Sequence, residues 1–232
     1  MKNMVKNCTA SNKVTMNKLM SAKEIASRIS SGETLMLGGF ASNRGYPGKI
    51  LYGLVFRDVT NLSIITNAAS ASNKPELEKL LEAKVSSLTC TYLRTSKAAS
   101  DLYKLGKVTL IPQGTLAESI RLGGLGIPAY YNSVGVGTAV AKGKEVREFN
   151  SKLYLLEHAI TGDKALIRVN IADKSGNCFI KGPSKTFSPL MAAACKEVYI
   201  EAEEIVEVGE IDPELVTIPN ILVNGIVDLR KE

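Results

Sequence analysis

With 232 residues and 45% hydrophobic content, the chain has room for one large domain and a sizeable core, and its composition excludes a disordered segment of this length. The formal net charge of +6 arises from 29 basic and 23 acidic residues that are interspersed. No basic run carries interleaved aromatics, which excludes a nucleic-acid track, and no apolar run approaches the ~18 residues of a membrane helix. Cys8, Cys90, Cys178 and Cys195 are scattered, with no C-x-x-C pair and only His158 as a possible imidazole ligand. No metal site is expected, and four such thiols fit a reduced, cytoplasmic protein. Residues 1–20 carry four lysines without an acid and are expected to form a basic flexible tail, with Met16 and Met20 as alternative starts. Residues 21–232 are expected to form one domain.

In chain order, the spacing of Ser21 and Glu24 predicts a capping box opening a helix over Ala22–Ser30, closed by Gly32. Thr34–Leu37 is a short buried strand that ends on Gly38-Gly39. Pro47 then opens a helix with a stripe of Ile50, Leu51, Leu54 and Val55. Leu62–Thr66 is the next strand, and a small-residue loop, Asn67–Ser72, follows it. Asn73, Pro75 and Glu76 are expected to cap a helix that turns Leu77, Leu80 and Leu81 inward. A strand over Val85–Leu93, a helix over Lys97–Leu105 and a strand over Lys107–Ile111 complete a β-α-β-α rhythm. That alternation predicts an α/β fold, a mostly parallel sheet with helices on both faces.

After Pro112 a Gln113-Gly114 turn leads into another helix. Gly123-Gly124-Leu125-Gly126-Ile127-Pro128 reads as a surface loop or lid. From Lys144 to about Ile180 the pattern changes to an antiparallel hairpin insertion, with turns at Asn150-Ser151 and Asp173–Gly176. A helix near Pro189–Cys195, a strand near Glu197–Glu201 and an acidic tail over Glu201–Glu210, read as a solvated face, follow. Three loops sit at the carboxyl ends of predicted parallel strands, where ligands of such sheets bind: Gly38–Gly45, Asn67–Ser72 and Gln113–Thr115. The first joins a strand to a helix N-terminus through glycines, so its backbone amides can approach an anion or a developing oxyanion.

Several of these stretches resemble the A (alpha) subunit of family I CoA transferases, of the 3-oxoacid or acetate/butyrate–acetoacetate type. They are Gly38-Gly39-Phe40 followed by a glycine and a proline, Pro112–Glu118, Tyr154–His158, Ala172–Asn177 and Glu203–Gly209. The likeness runs from about Ser21 to the C-terminal region. It implies an α/β fold of the NagB/RpiA/CoA transferase kind. It also implies ping-pong transfer of CoA between a short-chain acyl-CoA and a carboxylate such as acetoacetate, acetate or butyrate. The family's nucleophilic glutamate belongs to the beta subunit, and no Ser-Glu-Asn-Gly-like segment occurs here, so a beta-subunit partner is expected. No tightly bound cofactor is implied; coenzyme A enters as the thioester substrate.

The resemblance assigns Gly38, Gly39, Phe40, Ala41, Ser42, Asn43, Arg44 and Gly45 to coenzyme A or substrate binding, with Asn67 and Gly114 beside them. Gln113 is placed near the reacting carboxylates, where its amide can stabilise charge without titrating. Asn67 also reads as a plain turn residue, since asparagine tolerates αL. His158 reads as a core or interface histidine rather than a base, and Glu118 as one partner of a structural pair. Three departures stand out. Four residues separate Phe40 from Gly45 where the family pattern has three, Ala68 stands where a polar residue is common, and Ser119 replaces an arginine. The alternative is a stand-alone sugar-phosphate isomerase or a ligand-sensing domain of the same architecture.

Overall fold

The computed structural model describes residues 17–40, 45–70, 74–93 and 95–232. Eleven strands and six α-helices run along them: α1 Ala22–Ser27, β1 Thr34–Leu37, α2 Gly48–Val55, β2 Leu62–Thr66, α3 Pro75–Ala83, β3 Val85–Cys90, α4 Lys97–Lys104, β4 Val108–Leu110, α5 Gln113–Gly124, β5 Ala129–Asn132, β6 Val146–Phe149, β7 Lys152–His158, β8 Gly162–Asp173, β9 Cys178–Phe179, α6 Ser188–Ala194, β10 Cys195–Val206 and β11 Gly225–Asp228.

The main sheet has the order β11-β10-β8-β1-β2-β3-β4, every neighbour parallel, with β9 added antiparallel to β8. Side-chain alternation divides the core into two layers. Leu35 and Leu37 of β1, Leu62 and Ile64 of β2, Leu166 of β8 and Tyr199 of β10 pack under α1 to α4. Met36, Ile65, Ile167, Val198 and Ile200 face α5 and α6 on the other side. β1, β2, β8 and β10 are therefore apolar on both faces, as a covered parallel sheet requires. A small sheet, β5-β7-β6, packs antiparallel beside α5.

The capping box at Ser21 and Glu24 forms, and β1 and β2 occupy the expected residues. Asn73, expected to cap α3, lies outside the described residues, and Lys74 precedes the helix without a side-chain cap. Other expectations need correction. Gly123 and Gly124 belong to α5 rather than to a lid. A Cβ on Gly123 would sit 2.2 Å from the Ile160 carbonyl oxygen, and one on Gly124 3.1 Å from Ala193. These glycines permit close packing of the helix end. The insertion spans 129–158 only, because β8 is a central parallel strand flanked by β1 and β10. The Asn150-Ser151 turn joins β6 to β7 with both residues at positive φ, as a tight hairpin of this hand needs.

The acidic stretch from Glu201 continues β10 to Val206; Glu203, Glu207 and Glu210 are exposed, as a solvated face requires, but Glu201 is fully buried. His158 ends β7 exposed, opposite Ala129, so of the core and interface readings only the core one is overturned. At the other terminus Leu19 bridges Ile226 of β11, and the Lys18 Nζ donates to the Asn220 carbonyl at 2.6 Å. Residues 18–20, counted with the tail in the sequence, therefore dock on the domain.

Candidate active site

The strand order runs outward in opposite directions from β1 and β8, which makes their carboxyl ends the switch point where open α/β sheets hold ligands. The glycine loop leaves the sheet there. The Gly38 N–H donates to the Leu166 carbonyl at 2.9 Å, and a Cβ on Gly38 would press within 3.0–3.3 Å of Ser188 and Ile167. Gly39 has φ +114° and Gly45 φ +75°, both in the region that favours glycine. A Cβ on Gly45 would meet Ser184 Oγ at 2.4 Å and the Gly39 Cα at 3.1 Å, so the two ends of the loop close on each other. Phe40 stacks on Phe187 with ring centroids 6.2 Å apart. Ala41, Ser42, Asn43 and Arg44 lie outside the described residues.

One strand further out, Asn67 is buried at the end of β2, and Gln113 opens α5. Gln113 Nε2 donates to Asn67 Oδ1 at 3.0 Å, and Thr91 Oγ1 donates to the same oxygen at 3.3 Å and to the Asn67 carbonyl at 2.7 Å. With that oxygen engaged twice, the Asn67 amide N–H₂ and the second Gln113 N–H are the donors left for a ligand. Pro112 gives α5 no side-chain cap, so the first-turn amides of α5 add further donors at a positive helix end. Gly114 is exposed, and a Cβ there would meet nothing within 4 Å, which leaves space above that helix end. The expected convergence of the Asn67 and Gln113 loops is thus a direct hydrogen bond.

A cavity of about 280 Å³ opens beside Gly45, lined among others by Arg168, Asn170, Lys181, Ser184 and Glu203. Glu203 is engaged at both oxygens, Oε1 by Arg168 Nε at 3.1 Å and Oε2 by Asn170 Nδ2 at 2.9 Å. Ser184, Phe187, Ser188 and Arg168 were not legible as site residues. They reach the glycine loop only through strand order, from more than a hundred residues away. Glu118 pairs with Arg121 through two hydrogen bonds, as expected of a structural pair. Ser119, where the family pattern has arginine, is buried against the Tyr130 hydroxyl at 3.2 Å. Among the described residues no group of three or more His, Cys, Asp or Glu is placed to hold a metal ion.

Glu201 lies on β10 opposite Arg168, which lines this cavity. Its Oε1 accepts from the Ile50 N–H at 2.6 Å while Oε2 is buried without a partner among the described residues. Burial pushes its carboxyl up from 4.5 to about 7, against the opposing pull of the Ile50 amide and Arg168. A folded-state value raised this way gives stability that is present below about 4.5 and lost as pH rises through about 7. Wild type should therefore lose on the order of 2 kcal/mol against Glu201→Gln between pH 5 and pH 8. Denaturant melts of both proteins at the two pH values measure this; parallel pH curves would contradict it.

A family profile described as Coenzyme A transferase matches residues 18–229. The chain belongs to the coenzyme A transferase family. This CoA-transferase chain is 37% identical over 211 residues to the A subunit of a probable succinyl-CoA:3-ketoacid coenzyme A transferase of Bacillus subtilis (strain 168), covering 90% of this chain and 88% of the relative. It is also 37% identical over 213 residues to the acetoacetyl-CoA:acetate/butyrate CoA transferase alpha subunit of Clostridium acetobutylicum, covering 91% of this chain and 97% of that one. The fold matches a crystal structure of an acyl-CoA transferase from Escherichia coli O157:H7 with a TM-score of 0.83 at 23% identity, over 93% of this chain. The chain spans about half of that structure, 47% of its length. The family match decides against the sugar-phosphate isomerase alternative.

Proposed function

We propose that this CoA-transferase chain is the alpha subunit of a two-subunit enzyme. That enzyme moves CoA between a short-chain acyl-CoA and a carboxylate such as acetoacetate, acetate or butyrate. The observation that carries the reading is a donor pair, Asn67 and Gln113, at the strand ends, while the cavity-lining carboxylate Glu203 is already held at both oxygens. Gln113 and Asn67 are joined by a hydrogen bond and the glycine loop leaves a neighbouring strand, whereas Glu203 is tied to Arg168 and Asn170 and Glu118 to Arg121. The relatives of similar length are named as A or alpha subunits, which fits a nucleophile on a beta-type partner.

In this reading the partner's glutamate attacks the thioester carbonyl, and the CoA thiolate leaves as an acyl-glutamyl anhydride forms. The thiolate then attacks the glutamyl carbonyl of the anhydride, releasing the first acid and leaving a glutamyl-CoA thioester. The acceptor carboxylate enters by the reverse steps. The Gln113 and Asn67 N–H groups stabilise the oxyanion of each tetrahedral addition and hold the incoming carboxylate. The Gly38 amide is held by the Leu166 carbonyl, so in this reading the amides of Gly39 and Gly45, with Phe40, are the loop's described contacts for coenzyme A, and Gly114 keeps the α5 end open. Coenzyme A acts as a substrate and not as a resident cofactor. Cys90, Cys178 and Cys195 are free thiols, which fits a reduced cytoplasmic setting.

The test is to assay acetoacetyl-CoA with acetate, using this chain alone and the complex purified with its partner. Turnover by the complex and none by the isolated chain is expected. A complex that turns over no acyl-CoA would end the proposal.

A further inference from the structure

Glu201 is a carboxylate that the mechanism above does not use, buried at 0% exposure on β10 between β8 and β11, and its burial costs stability as pH rises toward about 7. Its partners explain its place. The Oε1 accepts the Ile50 N–H at 2.6 Å, and Lys49 beside it also favours the charged form of this carboxyl. Both residues lie in the first turn of α2, whose own preceding residue, Pro47, supplies no side-chain cap. The cap of α2 therefore comes from a strand 151 residues away.

Glu201 is the register partner of Arg168 in the β8–β10 pair. The Arg168 N–H donates to the Gly45 carbonyl at 3.4 Å. One rung of the sheet thus grips the chain twice, at Gly45 through a backbone amide and at Lys49–Ile50 through a carboxyl. Between the two grips lie only Tyr46, Pro47 and Gly48. Tyr46 is itself buried, with a hydroxyl that has no partner among the described residues. Lys49 and Tyr52 of α2, Glu76 of α3 and Arg168 of β8 line the opening around Glu201.

We propose that Glu201 is a positioning residue for coenzyme A binding: as an acceptor that caps α2 from β10, it fixes the exit of the glycine loop against Gly39. A local Ser or Asp cap would fasten the helix to its own loop, free to move as a unit. A cap from the central sheet instead references the loop exit to the same strands that hold its entrance at Gly38. The role needs an oxygen acceptor at the right reach and not a negative charge, so the amide oxygen of glutamine can fill it.

The inference rests on the proposed function, and the test separates the two. The assembled two-subunit complex is assayed with acetoacetyl-CoA and acetate in wild type, Glu201→Leu and Glu201→Gln. Amide exchange of Gly48–Ile50 is followed in the same samples. Glu201→Leu should raise KM for acetoacetyl-CoA about tenfold and speed exchange at Lys49 and Ile50 by a similar factor, with KM for acetate unchanged. Glu201→Gln should restore both. A folded, assembled Glu201→Leu complex with wild-type KM values, or a Gln variant as impaired as Leu, overturns the proposal. If Leu does not assemble, Glu201→Asp replaces it, since aspartate keeps the charge but is one methylene too short. Impaired Asp beside wild-type-like Gln supports the cap, and any other pattern overturns it. If wild type turns over no acyl-CoA, the functional reading falls, and the exchange of Gly48–Ile50 across the variants decides the cap by itself.

Discussion

Gly39→Val abolishes turnover in the assembled complex while the core stays folded. Gly39 sits at φ +114°, where a β-branched side chain is strained by ~1–3 kcal/mol, and its Cα faces Gly45 across the neck of the loop. Added methyl groups would spread that neck and turn the amides of the loop away from the switch point. The strain is local, because β1 ends at Leu37 and its side chains remain packed in both layers. Turnover falls below detection, and Tm drops by no more than a few degrees for each kcal/mol of strain. Wild-type kcat/KM in a well-folded Gly39→Val complex would remove the loop from the substrate path.

Gln113→Ala lowers kcat and kcat/KM together, by roughly 10–10³-fold, because it removes a donor realised mainly as charge develops on the oxyanion. The loss has two components. The side chain itself leaves, and Asn67 Oδ1 loses its 3.0 Å partner and keeps only Thr91, so the neighbouring amide is less firmly oriented. Gln113 is exposed, so the fold should be unaffected, and equal melting temperatures confirm that the effect is chemical. Steady-state kinetics with both substrates varied make the decision. A rise confined to KM would assign Gln113 to ground-state binding of the carboxylate.

Much of the first half of the fold is legible because its signals are local. Thr34–Leu37 and Leu62–Thr66 are short apolar runs bounded by turn residues, and Ser21 with Glu24 carries its helix start in four letters. Misreadings occur where a tertiary contact decides. Gly123 and Gly124 look like loop residues, but they exist because Ile160 and Ala193 lie against the helix end. Glu201 looks like part of the solvated face that Glu203 and Glu207 do form, yet β10 is an interior strand, and its alternation points Glu201 with Tyr199 toward the α2 layer.

The site divides along the same line. The glycine loop, Asn67 and Gln113 stand on contiguous motifs at strand ends, so parallel-sheet logic brings them together before any coordinates do. The hydrogen bond between Asn67 and Gln113 follows from β2, β3 and β4 being neighbours in order. Ser184, Ser188, Arg168 and Glu201 reach the loop only because β8 and β10 lie on the far side of β1. No spacing in the sequence encodes that crossing.

The central claim is that this chain shapes the pocket and a second chain supplies the nucleophile. Trapping tests it most directly: the complex is mixed with acetoacetyl-CoA, the enzyme thioester is reduced with borohydride, and peptides of both chains are mapped by mass. The account predicts a single reduced glutamate on the partner chain, none on this one, and no adduct when this chain is treated alone. A reduced residue at Glu203, Glu201 or any other glutamate of this chain would contradict it.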